Sequence, residues 1–210
     1  MNKSQLTNFI TKYTLGGEIK STKWTSNGTS LSTRFISGDK SVVGKVELNK
    51  FSHLSPCELG VYNTGQLSSL LSVLGDDIDV NLSQSGDKFI SMEFEDTNRK
   101  TKSKYMLSDL SVIPTPPALK NLPDTFELGI KVDPYFVNTF ISGKGALSEA
   151  ETFTILTENG ETKIVIGYAS IASNRVTIPV ETTKSADIEP ISFNANMFAS
   201  ILNANKDCES

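Results

Sequence analysis

A short unit that recurs along the chain constrains the fold more than any other sequence feature. Each copy has a polar capping residue followed by apolar residues three, four and seven positions apart, which is the spacing of one helix face. Three of the copies also have a short apolar strand before the cap. The four predicted caps are Asn2, Thr64, Asp133 and Asn194. Glycines are predicted to end the first three helices, at Gly16, Gly75 and Gly143.

The stretches between these helices alternate apolar and polar residues, which is typical of antiparallel strands. Asn159 and Gly160 form the strongest short hairpin signal. Prolines 114, 116 and 117 exclude a helix or sheet interior, so we expect residues 111–124 to form an extended connector. The pattern predicts an α+β fold of two similar domains, 1–110 and 125–210, each with antiparallel sheets and two short helices.

Charge and apolar patterning exclude several classes of protein. The net charge of -4 disfavours a protein that coats nucleic acid indiscriminately, because that function needs a dominant positive field. An acidic protein with a small basic inner surface remains open. No apolar run approaches the roughly 18 residues of a membrane span, and no secretory signal is evident. Two cysteines are too few for a disulfide scaffold, so we expect a cytoplasmic protein.

The sequence has no recognisable catalytic constellation. Its one histidine, His53, lies in a strand-to-loop stretch, and a lone histidine is more often a packing or surface residue than a catalyst. Phosphate-binding loops, nucleophile elbows and paired metal ligands are missing. The cluster Asp76, Asp77 and Asp79 follows Gly75 and lacks calcium-loop spacing, so a solvated turn is the preferred interpretation. We therefore expect a non-enzymatic protein without cofactor or metal.

The arrangement resembles the DNA sliding clamps of tailed bacteriophages, which are related to proliferating-cell nuclear antigen. The four strand-helix units and the proline-rich connector carry this resemblance, and residues 62–77 are similar to the second helix of phage clamps and its acidic turn. The resemblance implies a homotrimeric ring of six domains around duplex DNA. It further implies a processivity factor, placed by an ATP-dependent clamp loader, that tethers a replicative DNA polymerase in an infected bacterial cytoplasm.

In such a ring, the helix faces not used for packing would meet the DNA backbone. Phosphate contacts carry no sequence information and therefore suit sliding. The alternative for each lysine is an ordinary solvated surface. The residues that the resemblance assigns to DNA are Lys3, Asn8, Lys12, Lys20, Lys23, Arg99, Lys100, Lys102, Asn138, Lys144, Asn203 and Lys206.

Clamp partners insert a short apolar peptide beside the connector, so the resemblance also implies a partner pocket. Its expected residues are Leu110, Val112, Ile113, Leu119 and Tyr168, with packing under the connector as the alternative.

The ring is expected to close by pairing of strand 102–109 with strand 174–181 of the next subunit, in a head-to-tail contact. Pro179 favours an edge position for the second strand. The expected interface residues are Tyr105, Leu107, Val176, Ile178 and Val180.

The sequence departs from the clamp pattern after the fourth helix, because the second domain is expected to lack its final strands. Three other interpretations stay open. The chain could be a viral structural or assembly protein of two-domain, β-rich build, or a two-domain α+β protein without a clamp role. It could also be an enzyme or inhibitor whose site leaves no sequence signal.

Overall fold

The computed structural model describes residues 1–118, 125–169 and 173–206. The chain divides into two compact units, Met1–Leu119 and Lys120–Ser210. Four α-helices are present in the described residues: α1 (Lys3–Thr14), α2 (Thr64–Ser72), α3 (Pro134–Ala146) and α4 (Ala195–Ala204). None of them is long and apolar enough to cross a membrane.

Three of the four predicted helix caps are confirmed. The side chains of Asn2, Asp133 and Asn194 each accept a hydrogen bond from a backbone N–H in the first helical turn. The second cap was wrong by one residue: Asn63 caps α2 by accepting from the N–H of Gln66. Thr64 is instead buried, and its hydroxyl donates to the carbonyl of Lys20.

The predicted end of α3 at Gly143 is also wrong, because the helix continues to Ala146. A Cβ atom at Gly143 would lie 3.0 Å from a methyl carbon of Val176 and 3.3 Å from one of Ile166. Gly143 is therefore a point of close helix-to-sheet approach rather than a helix stop. The glycine pair after α1 behaves as expected, because Gly16 and Gly17 have φ values of 73° and 102°.

The first unit is built on an antiparallel sheet with the strand order β3-β2-β1-β4. Apolar residues of α1, among them Phe9 and Tyr13, pack edge-to-face against Trp24 on the inner face of this sheet. The Trp24 indole N–H donates to the buried Tyr13 hydroxyl. The strands are β1 (Thr22–Ser26), β2 (Ser30–Ile36), β3 (Val43–Asn49) and β4 (Cys57–Val61).

A second antiparallel sheet of the first unit follows α2, with the order β5-β6-β7. Its strands are β5 (Ile78–Ser85), β6 (Lys88–Asp96) and β7 (Lys102–Met106). Beyond β7 the chain runs beside β4 and forms one antiparallel bridge with it, in which the N–H of Ser108 donates to the carbonyl of Gly60. A 3-10 turn over Leu110–Val112 comes next, and Ile113 then packs beside Gly60. The described part of the predicted connector therefore lies on the outer face of the first sheet.

The second unit repeats the topology of the first sheet, with the order β11-β10-β9-β13. Helix α4 follows β13 as α2 follows β4. The predicted hairpin at Asn159–Gly160 is confirmed, with positive φ at both residues. A two-stranded sheet, β12-β8, completes the described part of this unit. The strands are β8 (Gly129–Ile130), β9 (Thr152–Glu158), β10 (Glu161–Ile166), β11 (Val176–Pro179), β12 (Thr182–Lys184) and β13 (Ile191–Asn194).

Aromatic side chains fill the core of the second unit. The ring of Phe140 packs edge-to-face against Phe153 and Phe198, with centroids 5.1 and 5.0 Å away. Phe193 of β13 stacks on Phe153 and remains 48% exposed. The chain is therefore an α+β protein with antiparallel sheets and four helices in its described residues, which is the coarse form of the predicted fold class.

Candidate nucleic-acid interface

The four helices share a charge pattern that sets them apart from the rest of the chain. Together they hold 44 residues and no aspartate or glutamate. An even distribution of the chain's 24 acidic residues over 210 positions would place about five of them in the helices. The helices also contain three lysines. The acidic residues in the described ranges therefore lie outside these helices, and the helix surfaces are neutral to weakly positive although the whole chain is acidic.

The exposed faces of α1 and α2 are formed by neutral polar side chains. Thr7 and Thr11 donate their hydroxyl hydrogen atoms to helix carbonyls four residues earlier, and Ser69 does the same in α2. Gln5 and Gln66 are exposed. Such a surface can lie close to a phosphate backbone without repelling it, and it offers no fixed set of donors that would hold the backbone at one register.

Two of the predicted DNA-binding lysines occupy opposite ends of α1. Lys3 donates from its ammonium group to the carbonyl of Leu74 just beyond α2, so this amine stabilises the helix pair. Lys12 is half-buried in the last turn, and Asn8 lies between them on the exposed face. Lys20, beyond the end of α1, is exposed. Lys3, Asn8 and Lys12 therefore all lie on α1, but they do not share one face of it. Nine residues separate Lys3 from Lys12, which leaves them about half a rotation apart around the helix, so the two lysines lie on opposite sides of α1.

Lys23 does not join this group. It alternates with Trp24, which packs under α1, so the Lys23 side chain lies on the opposite face of the sheet. Its ammonium group is 3.5 Å from the carboxylate of Glu58. We therefore omit Lys23 from the proposed DNA-facing set.

The other basic residues of the first unit lie at the β6–β7 turn. Arg99 and Lys100 are exposed, and the Lys100 and Lys102 ammonium groups lie 3.7 and 3.0 Å from Glu95. This turn is joined to the chain after α2, because the N–H of Thr97 donates to the carbonyl of Asp77. The exposed carboxylates of Asp76, Asp77 and Asp79 occupy the same end of the unit, so the positive charge there is largely compensated.

Lys144 was expected on an exposed helix face and is buried instead, with only 8% of its surface exposed. Its ammonium group donates to the carbonyl of Ser148 at 2.8 Å and to that of Leu147 at 3.4 Å. The amine therefore binds carbonyls at the C-terminal end of α3, where a cation is favoured. We omit Lys144 from the DNA-facing set for this reason.

Three predicted residues of the second unit are exposed on α3, on α4 and just beyond the end of α4. Asn138 and Lys206 line a cavity of about 210 Å³ between the start of α3 and the end of α4, and Asn203 lies on the exposed face of α4. The cavity walls are mainly apolar and include Val132, Val137, Ile201 and Leu202.

The residues predicted for a partner pocket divide into buried and exposed members. Ile113 is 4% exposed and packs on β4, as the alternative of connector packing predicts. Leu110 is half-buried and Val112 is 56% exposed. Tyr168, in the second unit, is 41% exposed, and Leu119 lies outside the described residues.

The predicted interface strands are both edge strands of their sheets, β7 and β11. Burial raises the pKa of the Tyr105 hydroxyl. This hydroxyl accepts a hydrogen bond from the backbone N–H of Asn63 and donates one to the Asn63 carbonyl. Leu107 is half-buried, and its N–H donates to Ile90. Ile178 is buried, whereas Val176 and Val180 are half-buried. These side chains anchor the two edge strands within their own units.

The described part of the chain contains no cluster of metal ligands. No group of three or more histidine, cysteine, aspartate or glutamate side chains there could hold a metal ion. His53 packs edge-to-face on Phe51. Cys57 is half-buried at the start of β4, and burial raises the pKa of its thiol, which lowers its reactivity at neutral pH.

Sequence comparisons do not assign the chain to a family. No model of a known protein family matches it, and no curated protein matches it at a significant level.

Proposed function

We propose that this protein is a subunit of a DNA sliding clamp, a homotrimeric ring that encircles duplex DNA and confers processivity on a replicative polymerase. The observation that carries the proposal is the absence of acidic residues from all four helices of an otherwise acidic chain. A protein that surrounds a polyanion must keep carboxylates off the enclosing surface, whereas its outer surface can be acidic.

The repeated topology supports the same function. Both units place a helix before and a helix after a four-stranded sheet, and both sheets have the order third, second, first, fourth strand. Three such chains would supply six similar units and twelve helices without acidic residues to the ring. Pairs of like units joined head to tail generate a closed cycle.

The proposal is tested by mass and by retention on DNA. Light scattering is expected to give three times the 22.8 kDa of one chain. After incubation with a clamp loader and ATP, the protein is expected to remain on a closed circular duplex at high salt and to leave when the circle is linearised. A strictly monomeric species together with equal loss from circular and linear DNA would contradict the proposal. A large open assembly would favour a viral structural protein instead.

A further inference from the structure

A row of three basic residues crosses the outer face of the first sheet. Lys23, Arg34 and Lys45 lie directly opposite one another on β1, β2 and β3. Like charges at directly opposed positions of a sheet destabilise it. The two outer members are compensated within the sheet: Lys23 is 3.5 Å from Glu58, and Lys45 is 2.7 Å from Glu47. Arg34, the central member, has no carboxylate within ion-pair distance in the described ranges.

The donors of Arg34 are only partly used. Its Nη2 donates to the carbonyls of Pro116 and Pro117 in the connector. Its Nε is buried and has no hydrogen-bond partner among the residues that the structure describes. The edge of a guanidinium that carries Nε and one Nη is the edge that a carboxylate binds with two parallel hydrogen bonds. The carbonyls of Pro116 and Pro117 therefore occupy the Nη2 side of the edge that would bind an anion, and they leave the Nε donor of that edge unpaired.

The surroundings of Arg34 determine which anion fits. Ile36 and Val43 lie opposite each other on the same outer face, two residues along from the basic row, and both are half-buried. Glu47 and Glu58 flank the row, so the five charged side chains sum to a single positive charge. A duplex would meet those two carboxylates, whereas one carboxylate beside an apolar side chain would meet Arg34 and the Ile36–Val43 pair.

We propose that Arg34 is a binding site for one carboxylate of an extended partner polypeptide whose neighbouring apolar side chain packs on Ile36 and Val43. The carboxylate takes both Nε and Nη2, and the carbonyls of Pro116 and Pro117 are released, which detaches this part of the connector from the sheet. The proposal rests on the proposed function only in taking the polypeptide to be a replication partner.

The test uses matched peptides and the full chain in the absence of DNA. Isotope-labelled protein is titrated with acetyl-Leu-Ala-Glu-Ala-amide and with the same peptide carrying glutamine for glutamate. We expect the glutamate peptide to bind about tenfold more tightly, as charge-assisted bidentate pairing requires. It should shift the Arg34 side-chain N–H signal and the backbone signals of Ile36, Val43 and Ala118.

Variants separate the site from general charge effects. Arg34→Gln should reduce binding of the glutamate peptide to the level of the glutamine peptide. Lys104→Gln is the control. It removes an exposed lysine whose ammonium group lies 2.7 Å from the carboxylate of Glu93 on the other sheet of this unit, and it should leave binding of both peptides unchanged. Equal binding of the two peptides to the unmodified protein, shifts confined to other residues, or no binding up to about 5 mM would overturn the site. None of these results would bear on the proposed ring, which is tested separately by the mass of the particle and by its retention on circular DNA.

Discussion

Asp96 joins the β6–β7 turn to the end of α2. Asp96 is 1% exposed. One oxygen of its carboxylate accepts hydrogen bonds from the N–H groups of Asn98 and Arg99, and the other accepts from that of Gly75. The Arg99 N–H is the largest of the causes that lower the pKa of Asp96, followed among the lowering effects by Asn98 and Gly75. The turn that carries the exposed bases Arg99 and Lys100 is therefore held in place by one buried anion.

We expect Asp96→Asn to lower the melting temperature at neutral pH. The amide nitrogen of asparagine would face the Gly75 N–H, so two donors would meet. Because the folded pKa is lowered, the carboxylate stabilises the fold above the unfolded pKa of about 3.9, and this contribution is lost as the pH falls through the folded pKa. The difference between the two proteins should narrow below about pH 4 in circular dichroism melts. Asp87→Asn, at an exposed turn, is the control and should melt with the unmodified protein at neutral pH.

Gly60 provides the close approach between β4 and the start of the connector. A Cβ atom there would lie 2.3 Å from the carbonyl oxygen of Ser108. We expect Gly60→Ala to destabilise the protein by about 1–3 kcal/mol, as overpacking at buried positions does. Gly38→Ala is the matched control, because its added methyl group would meet no atom within 4 Å. Chemical denaturation would measure both, and equal stabilities of the two variants would contradict this role of Gly60.

Single residues also show which structural roles can be predicted from the sequence and which cannot. Asn2, Asp133 and Asn194 could be predicted as caps because capping is local. Asn63 and Thr64 could both cap α2, and the outcome depends on Lys20, a distant residue whose carbonyl binds the Thr64 hydroxyl. The burial of Lys144 and the close packing of Gly143 likewise depend on tertiary contacts. The free donor of Arg34 left no sequence signal, because a lone arginine in a strand is ordinary.

At the scale of elements, the direction of backbone donors distinguishes the two sides of each edge strand. The N–H groups of a strand alternate between its two sides. The N–H of Leu107 donates to Ile90 of β6, so the N–H of Tyr105, two residues earlier, also points to β6. The N–H of Met106, between them, therefore points away from β6 to the outer edge of β7. Just beyond β11, the N–H of Val180 points to β10. The preceding residue, Pro179, therefore has its backbone nitrogen on the free edge of β11, where no hydrogen-bond donor is required. The prediction that Pro179 marks an edge strand is thus confirmed.

Strand pairing between subunits is tested at Met106, which is 60% exposed. We expect Met106→Pro to remove an outward donor and yield monomers that keep their circular dichroism spectrum and melting temperature within a few degrees. Met106→Ala keeps the donor and should remain trimeric in sedimentation velocity. Proline at position 105 would instead break a ladder bond of its own sheet. A trimeric Met106→Pro protein would place the subunit contact elsewhere.

The positions of whole elements were more predictable than the faces they present. Helices and the hairpin follow from local periodicity and turn chemistry, and the structure contains them all. The face of Lys23 could have been read from its alternation with Trp24, but only once the tryptophan was known to pack under α1. The absence of acidic residues from the helices is visible in the sequence only after the helix boundaries are known.

At the scale of the whole molecule, charge is divided between elements rather than between ends of the chain. The net charge of -4 describes the sum and conceals the neutral to weakly positive helices. Three lysines within the helices are too few to bind DNA tightly, and two of them, Lys3 and Lys144, already bind carbonyls. A ring with this surface would retain DNA by enclosure, with weak phosphate contacts that permit sliding. Retention on a closed circle should therefore depend less on salt than direct binding does.

One added carboxylate in each helix tests this division of charge. Gln5→Glu, Gln66→Glu, Asn138→Glu and Asn203→Glu together add four negative charges at exposed helix positions. Exposed charges contribute little to stability, so we expect the variant to fold and to form trimers. It should be loaded onto circular DNA poorly and lower the processivity of the polymerase, because the added carboxylates would face the phosphates. The control places four glutamates at exposed sheet and turn positions, Ser41, Asn49, Asn81 and Thr183, which adds the same net charge outside the helices. Equal processivity of the two variants would show that the helices do not face DNA.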